Sequence, residues 1–596
     1  MRQAPTSTRS FVDILKSEGE LVEIDVPLSA QFVIPEIQRR VAARGGPALL
    51  FTQVIGHRFP IATNLYGSSK RIELALGGNP KAHLEQLVQF MDHLPPKLSQ
   101  LKTMLPVGWR LLKSGRSRTS RPHALECQLT SLEELPALTS WPEDGGPFVT
   151  LPLVYTQDPQ TQKGNLGMYR VQLQGPSQAG MHIQIHRGGG NHYHRAEQMG
   201  QALPASVFIG GPPALTLAAV APLPEDVPEL VFAAFLMNRK LKWANNPHFP
   251  EQLLAADADF TITGHMPPKE RAPEGPFGDH YGYYSLQHDY PFLKVASVYH
   301  RKDAIYPATV VGRPPQEDHY IALFLQELFA PLFPLVMKGV KDVFAYEESG
   351  VHSLAAGIVK ERYPKEAFTA CMRILGEGQL SLTKVLLATE ADLDPKDFGP
   401  LFHHILERCD FRTDLHIISN ISLDTLDYTG PEINRGSKAI FLGLGDKRFE
   451  LCDELPEPGA LPTSIGKPAL FQPGVLIVKG APYESAPELP LELIGVQALA
   501  PFRLVILHDD PQEAARSDID FIWNIFTRFE PAGDIHASTT IRRNHLAFDA
   551  PLIIDCRMKP GYPGILVPDE ATMDTVDSHW SSLEEQIFSK KKPSNA

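Results

Sequence analysis

From Asn165 to Gly190 the chain reads "NLGMYRVQLQGPSQAGMHIQIHRGGG". Two short strand-like runs stand inside it, "GMYRVQLQ" and "GMHIQIHR". Runs of the same kind surround it: "FVTLPLVYT", "ASVFIGG", "ADFTITGHM" and "FLKVASVYH". Short strands at this spacing predict a β-barrel or sandwich over residues 126–312. One helical pattern interrupts them, "DVPELVFAAFLMNRK", with Asp226 placed to cap it and Pro228 in its first turn.

On either side the periodicity changes. In residues 1–125, "SFVDILKSEGE" sets Phe11, Ile14 and Leu15 on one helical face. "LVEIDVPL" alternates Val22, Ile24 and Val26 with Glu23 and Asp25, as a half-buried strand does. "IPEIQRRVAARGG" predicts a helix closed by Gly45 and Gly46. The basic stretch Lys113–His123 reads as a solvated linker. Beyond residue 312 helices and strands alternate again. Leu401–Ile421 and Phe521–Ile541 share one pattern: a helix, a turn ended by aspartate, and a strand. "VLLATEADLDP" precedes the first and "LVILHDDPQEA" the second. Each pair predicts a βαβ unit, so the end of the chain reads as a duplicated α/β module divided by "LPEPGALPTSIGKP". The expected fold is α+β in four parts: 1–125, 126–312, 313–455 and 456–596.

At 596 residues, with 43% apolar and 21% charged side chains, the composition is that of a globular chain. A net charge of -13, from 56 basic and 69 acidic side chains, excludes general affinity for nucleic acid, which needs a basic face. A local basic pocket for an anionic cofactor is still allowed. Cys127, Cys371, Cys409, Cys452 and Cys556 are far apart and form no CxxC pair, which argues against a thiolate metal site or a disulfide framework. The opening residues lack the apolar core of a signal peptide. Ile321–Val340 is the most apolar stretch, but Gln326, Glu327 and two prolines interrupt it, so it reads as a buried helix. The expected location is cytoplasmic, with at most peripheral membrane contact.

Functional side chains concentrate in the opening stretch and in "ERAPEGPFGDHYGYYS" (Glu270–Ser285). On a strand, residues 182, 184 and 186 share a face while Arg187 points the other way, so His186 can meet a ligand on one side. Glycines 188 to 190 allow close backbone approach to a cofactor phosphate, and equally fit a plain glycine-rich hairpin. Glu229 lies in an apolar helix, either as a buried carboxylate that needs a partner or metal, or as a first-turn acid favoured by the helix dipole. His194 and Glu197 read as solvated loop. Glu274 and Asp279 flank a tight glycine-rich turn, which fits a surface turn or a pair of catalytic acids.

Six motifs in order, "NLGMYR", "HRGGG", "PELVFA", "PEGPFGDHYGYY", "VGRPP" and "GSKAIFLGL", resemble the UbiD-type decarboxylases, which work with prenylated FMN. The resemblance spans about residues 8–450 and is sharpest over 165–315. It implies a split β-barrel flavin-binding domain between an N-terminal and a C-terminal α/β domain. By the same resemblance, Asn165, His186 and Glu229 match the ligands of a divalent ion, usually manganese, that bridges to the flavin phosphate. Met168, Tyr169, Arg170, His182, Ile183, Gln184, Arg187 and Gly188 match flavin contacts, and Lys438 matches a lysine near the phosphate. Carbonyls around Ala218–Ala221 match a potassium site. Glu274, Arg170 and Asp279 match the catalytic trio.

The chemistry implied is loss of CO2 from an aromatic acid. Arg170 orients the carboxylate, and one acid, Glu274 or Asp279, is pushed upward in pKa to deliver a proton. The resemblance extends to quinone precursors, either a dihydroxynaphthoate for menaquinone or a polyprenyl hydroxybenzoate for ubiquinone. It implies a flavin prenyltransferase as cofactor supplier and a homo-oligomer, dimer or hexamer. Two other readings remain open at this point: a metal-dependent hydrolase on Asn165, His186 and Glu229 with Glu274 as base, and a non-catalytic scaffold.

Overall fold

Nine of the short strands between residues 126 and 312 assemble into one curled sheet. The computed structural model describes residues 3–82, 84–85, 105–183, 188–223, 227–250, 252–457 and 459–588. Across the sheet, Phe148–Val149, Val171–Leu173, Gln178–Met181, Phe292–His300, Phe260–Met266, Leu203–Ile209, Pro152–Gln157 and Gly164–Gly167 follow one another. Cys127–Leu129 adds to Phe292–His300. Every pairing is antiparallel, which short connections permit. Val154, Val171, Met181, Val207, Ile262 and Leu293 point into a common core. This is the split barrel expected from the motifs.

The chain divides into two compact units, Met1–Leu328 with Ile565–Ala596, and Phe329–Gly564. The first unit also holds a small sheet of Leu21–Ile24, Ala48–Phe51, Ile61–Thr63 and Tyr306–Pro307. The last helix, Glu570–Phe588, belongs to this unit and not to the module expected to run to residue 596. Val576, Leu583 and Ile587, on one face, enter the N-terminal core. On its flank Asp577 and Glu584 pair with Arg40 and Arg44, on and just beyond the helix Val33–Ala42. The basic stretch 113–123 is not a free linker. Arg116–Arg118 forms a strand parallel to Leu241–Asn245, because the backbone pairs while the arginine side chains stay in water. The helix predicted around Ile321 runs Glu317–Phe329, with a further turn at Phe333–Val336. It is apolar, yet only 17% of its most apolar window is buried, so it is not the sealed core helix expected.

In the second unit two five-stranded sheets repeat one order. Val340–Ala345, Leu354–Val359, Val385–Thr389, Gly436–Leu442 and Leu415–Ile421 make the first. Ile465–Gln472, Val475–Gly480, Leu504–His508, Leu552–Asp555 and Ile535–His536 make the second. In each, the outer pairs are antiparallel and the inner two pairings parallel. The duplication read from Leu401–Ile421 and Phe521–Ile541 is thus present in the topology. The copies share an aromatic core: Phe471 stacks on Phe521 at 3.8 Å, and Phe398 and Phe402 lie 5.9 Å from the same ring.

Candidate active site

The stretch Glu274–Asp279 is more than a surface turn. Ala272–Glu274 pairs with His288–Tyr290, and Phe277–Gly278 pairs with Tyr284–Ser285, so two short ribbons grip it. Gly275 takes φ 91°, a left-handed conformation that favours glycine. Gly278 lies against Trp141, where a Cβ would come within 2.0 Å of the indole. Beneath the ribbons sits Asp144. One of its oxygens accepts from Gly278 N at 2.7 Å, the other from Ser140 N at 2.8 Å and Trp141 N at 2.9 Å. Burial pushes this carboxyl up to about 6 in spite of those bonds.

Arg170 leaves the half-barrel just before Val171 and lies between the two acids. Its Nε and Nη2 each donate to Glu274 at 2.8 Å, and Nη2 also reaches Ser285 Oγ at 2.7 Å. Nη1 donates to Asp279 Oδ2. The Phe277 ring lies 4.7 Å under the guanidinium. His182 Nδ1 donates to Glu274 Oε2 at 3.1 Å, and its ring lies 4.3 Å from Tyr290. His280 Nδ1 lies 2.6 Å from Asp279 Oδ1.

The charges settle the protonation states. Burial opposes ionisation of Glu274, but Arg170 and the His182 hydrogen bond outweigh it and hold the carboxyl down at about 2. Burial opposes Asp279 as well, and His280 followed by Arg170 keeps it far below its usual range. Burial, then Arg170, push His182 downward, so its ring is neutral at pH 7. The expectation that one of the two acids is raised is therefore corrected for this arrangement. A guanidinium between the carboxylates removes the mutual repulsion that would have raised one of them. With Nδ1 donating, His182 Nε2 is a bare acceptor, and it has no hydrogen-bond partner among the described residues.

The second set lies along the same segment of chain. Asn165 is on the strand Gly164–Gly167, and the next residue, Leu166, donates its N–H to Glu229 Oε2 at 3.2 Å. Glu229 opens the helix Glu229–Met237 behind Pro228, which is the cap residue and not part of the first turn; Asp226 lies outside the described residues. Burial raises the Glu229 carboxyl, and only backbone N–H groups counter it. Gly188 passes so close that a Cβ there would sit 2.1 Å from Asn165 Oδ1. An amide oxygen and a desolvated carboxylate are donor types that fit a hard cation. The unpartnered His182 acceptor fits a polar ligand edge.

Other sequence expectations divide. Gln184, His186 and Arg187 lie outside the described residues. The strand ends at Met181, so His182 follows it and is not on it. Glycines 188 to 190 form no hairpin; they start the helix Gly188–Gln198, with Gly189 N donating to Tyr169 Oη at 3.3 Å. His194 and Glu197 are on that helix and not in a loop, and Glu197 pairs with Arg271 at 2.8 Å. Met168 is half-buried and Ile183 buried. The Ala218 and Ala221 carbonyls already accept backbone N–H groups. Lys438 belongs to the second unit, where it is buried and donates to Thr383 O at 2.7 Å. Sequence reasoning missed Asp144, Ser285 and His280. The last two stand inside the quoted acidic stretch, whereas Asp144 carries no local signal at all.

Arg170 is thus clamped between two buried acids beside a curled antiparallel sheet. The profile described as the 3-octaprenyl-4-hydroxybenzoate carboxy-lyase Rift-related domain matches residues 116–314. The corresponding C-terminal and N-terminal domain profiles match 319–443 and 12–91. The chain belongs to the UbiD family of carboxy-lyases, which are decarboxylases. It is 47% identical over 587 residues to an uncharacterized protein of Chlamydia trachomatis, covering 97% of this chain and 99% of that one. It is 44% identical over 580 residues to a Chlamydia pneumoniae protein named as a subunit of 4-hydroxybenzoate decarboxylase, covering 96% and 97%. Vanillic acid decarboxylase of Sedimentibacter hydroxybenzoicus shares the fold, with TM-score 0.66 at 22% identity over 82% of this chain and 99% of that one. So does the UbiD-class enzyme HmfF from Pelotomaculum thermopropionicum, solved with FMN, with TM-score 0.61 at 22% identity over 77% and 97%.

Proposed function

We propose that this protein removes CO2 from an aromatic acid that is a quinone precursor, using prenylated FMN and a divalent cation. The observation that carries this reading is Arg170, held by two bonds to the buried Glu274 and by one to Asp279. The 4-hydroxybenzoate decarboxylase name of the Chlamydia pneumoniae relative supports a phenolic acid. Structural neighbours that act on vanillic and 3,4-dihydroxybenzoic acid support the same class. The octaprenyl substrate in the family description extends it toward quinone precursors, and a dihydroxynaphthoate is the alternative within that class.

Asn165 and Glu229, with His186, would hold the cation, and Tyr169, His182 and Gly188 would border the flavin. Bound there, the prenylated flavin supplies an electron sink for the pair left behind when CO2 departs. Arg170 meets the substrate carboxylate through Nη1, displacing Asp279, whose single bond is the weaker attachment. Asp279 then loses its bond to Arg170 and faces a second carboxylate, so its pKa rises although His280 remains beside it. In that state it can place a proton on carbon. Glu274 keeps its two 2.8 Å bonds, stays ionised and holds the guanidinium in plane. Asp279 is the proton donor in this reading and Glu274 the group that positions Arg170. A hydrolase with Glu274 as base does not fit, since both of its oxygens are engaged by Arg170 and His182.

The test is CO2 release by protein co-produced with a flavin prenyltransferase, assayed on 4-hydroxybenzoate, 3,4-dihydroxybenzoate, vanillate and a dihydroxynaphthoate. Turnover of at least one acid is expected, with Asp279→Asn and Glu274→Gln inactive but still flavin-coloured. No CO2 from any of the four by flavin-loaded protein, or full turnover in Asp279→Asn, refutes the proposal.

A further inference from the structure

Decarboxylation of an acid to a hydrocarbon consumes one proton per turnover: the carboxylate and a proton become the C–H product and CO2. A buried donor must therefore be reloaded after each cycle. Exposure falls steeply toward the centre of this site. The His280 side chain is 29% exposed, Asp279 10%, Arg170 8% and Glu274 0%.

His280 turns back on the residue before it. Its Nδ1 lies 2.6 Å from Asp279 Oδ1, and its backbone N–H donates to the same oxygen at 2.7 Å. Oδ2 faces Arg170. The two oxygens are thus divided between a guanidinium that never gives up a proton and an imidazole that can. His182, the other imidazole near the trio, is committed to Glu274 and is buried. Asp318, at the start of the helix Glu317–Phe329, also faces His280, and burial pushes its carboxyl up. The Tyr281 ring is 5.8 Å away.

We propose that His280 is the proton-supplying residue for Asp279, carrying protons from solvent to the carboxylate once in each turnover, while the substrate carboxylate occupies Arg170. This rests on the reading of Asp279 as donor. Having protonated the product carbon, Asp279 is an anion, and it stays one until the next substrate carboxylate takes Arg170. The imidazolium passes its Nδ1 proton to Oδ1, leaving a neutral ring and a neutral carboxylic acid. The partly exposed ring then turns outward, takes a proton from water at Nδ1, and returns as imidazolium.

His280→Asn keeps an amide N–H where Nδ1 stands but cannot carry a proton. In flavin-loaded enzyme assayed on the same four acids, kcat should fall roughly 10²-fold, the scale of general acid catalysis. KM and flavin absorbance should stay unchanged, the pH profile of kcat should lose its near-neutral inflection, and added imidazole should restore turnover. His280→Gln, with its amide one bond further out, should respond in the same way. Wild-type kcat and pH profile in both variants, or a loss that neither imidazole nor buffer concentration relieves, overturns the relay. Asp279→Asn separates the two claims. If it is inactive while His280→Asn is normal, the relay fails and the donor stands; if it is active, the donor reading itself fails.

Discussion

Replacing Arg170 with methionine removes the one cation that both acids share while keeping an unbranched side chain in place. In the native site Glu274 sits at about 2 against an ordinary 4.5. At about 1.4 kcal/mol per tenfold change in proton affinity, that corresponds to about 3 kcal/mol of native stability. The folded value lies below the unfolded one, so this contribution is complete above pH 4.5 and is lost as pH falls toward 2. Without Arg170, burial is opposed by His182 alone, and the Glu274 carboxyl rises from about 2. The variant then loses less stability than the wild type as pH falls through the carboxylate range. Asp279 loses a smaller part of its support, because His280 remains. Near neutral pH the variant should be less stable by roughly 3–5 kcal/mol, the usual cost of leaving half of a buried ion pair. Calorimetric melting of both proteins from neutral pH down into the carboxylate range reads the sign directly, since the titration of the rest of the chain cancels in the difference. The gap between the two should narrow steadily as pH falls. Parallel curves would show that Arg170 does not hold these carboxylates down, and the electrostatic account of the site would fail.

Other outcomes follow from neighbouring contacts. Asp144→Asn turns one acceptor edge into a donor facing a backbone N–H, at about 1–3 kcal/mol; CO2 release should drop about tenfold or more with substrate-acid KM little changed, and a wild-type rate would dismiss its role in setting the acidic ribbon. Glu229→Gln should lower bound metal, measured by elemental analysis, and flavin absorbance together. Retention of both metal and flavin would refute the cradle. Phe521→Ala removes the ring stacked at 3.8 Å on Phe471 and should cost about 3–5 kcal/mol. Limited proteolysis should then open both C-terminal sheets together, whereas cleavage confined to residues 465–556 would contradict a shared core.

Much of this molecule was legible from residue order. Period-two runs such as "ASVFIGG" and "ADFTITGHM" became adjacent strands because alternation and short connections are local properties. The repeat of helix, aspartate turn and strand near 401 and 521 became two sheets of one topology for the same reason. Glu274, Arg170 and Asp279 could be named from motifs alone. Their protonation could not, because it depends on which charges lie within a few ångströms in space, and Arg170 stands 104 residues from Glu274 along the chain. The same limit hid Asp144, whose bond to Gly278 spans 134 residues. It also hid the pairing of Arg116–Arg118 with Leu241–Asn245 and the return of the last helix to the N-terminal core. Local backbone preference and side-chain periodicity are carried by neighbours in sequence, so the order of residues determined the elements and the identity of the acids. Burial and Coulomb interaction act through distance in space, so only the tertiary structure decided that both acids rest ionised around one guanidinium and that the acid beside His280 is the one within reach of water.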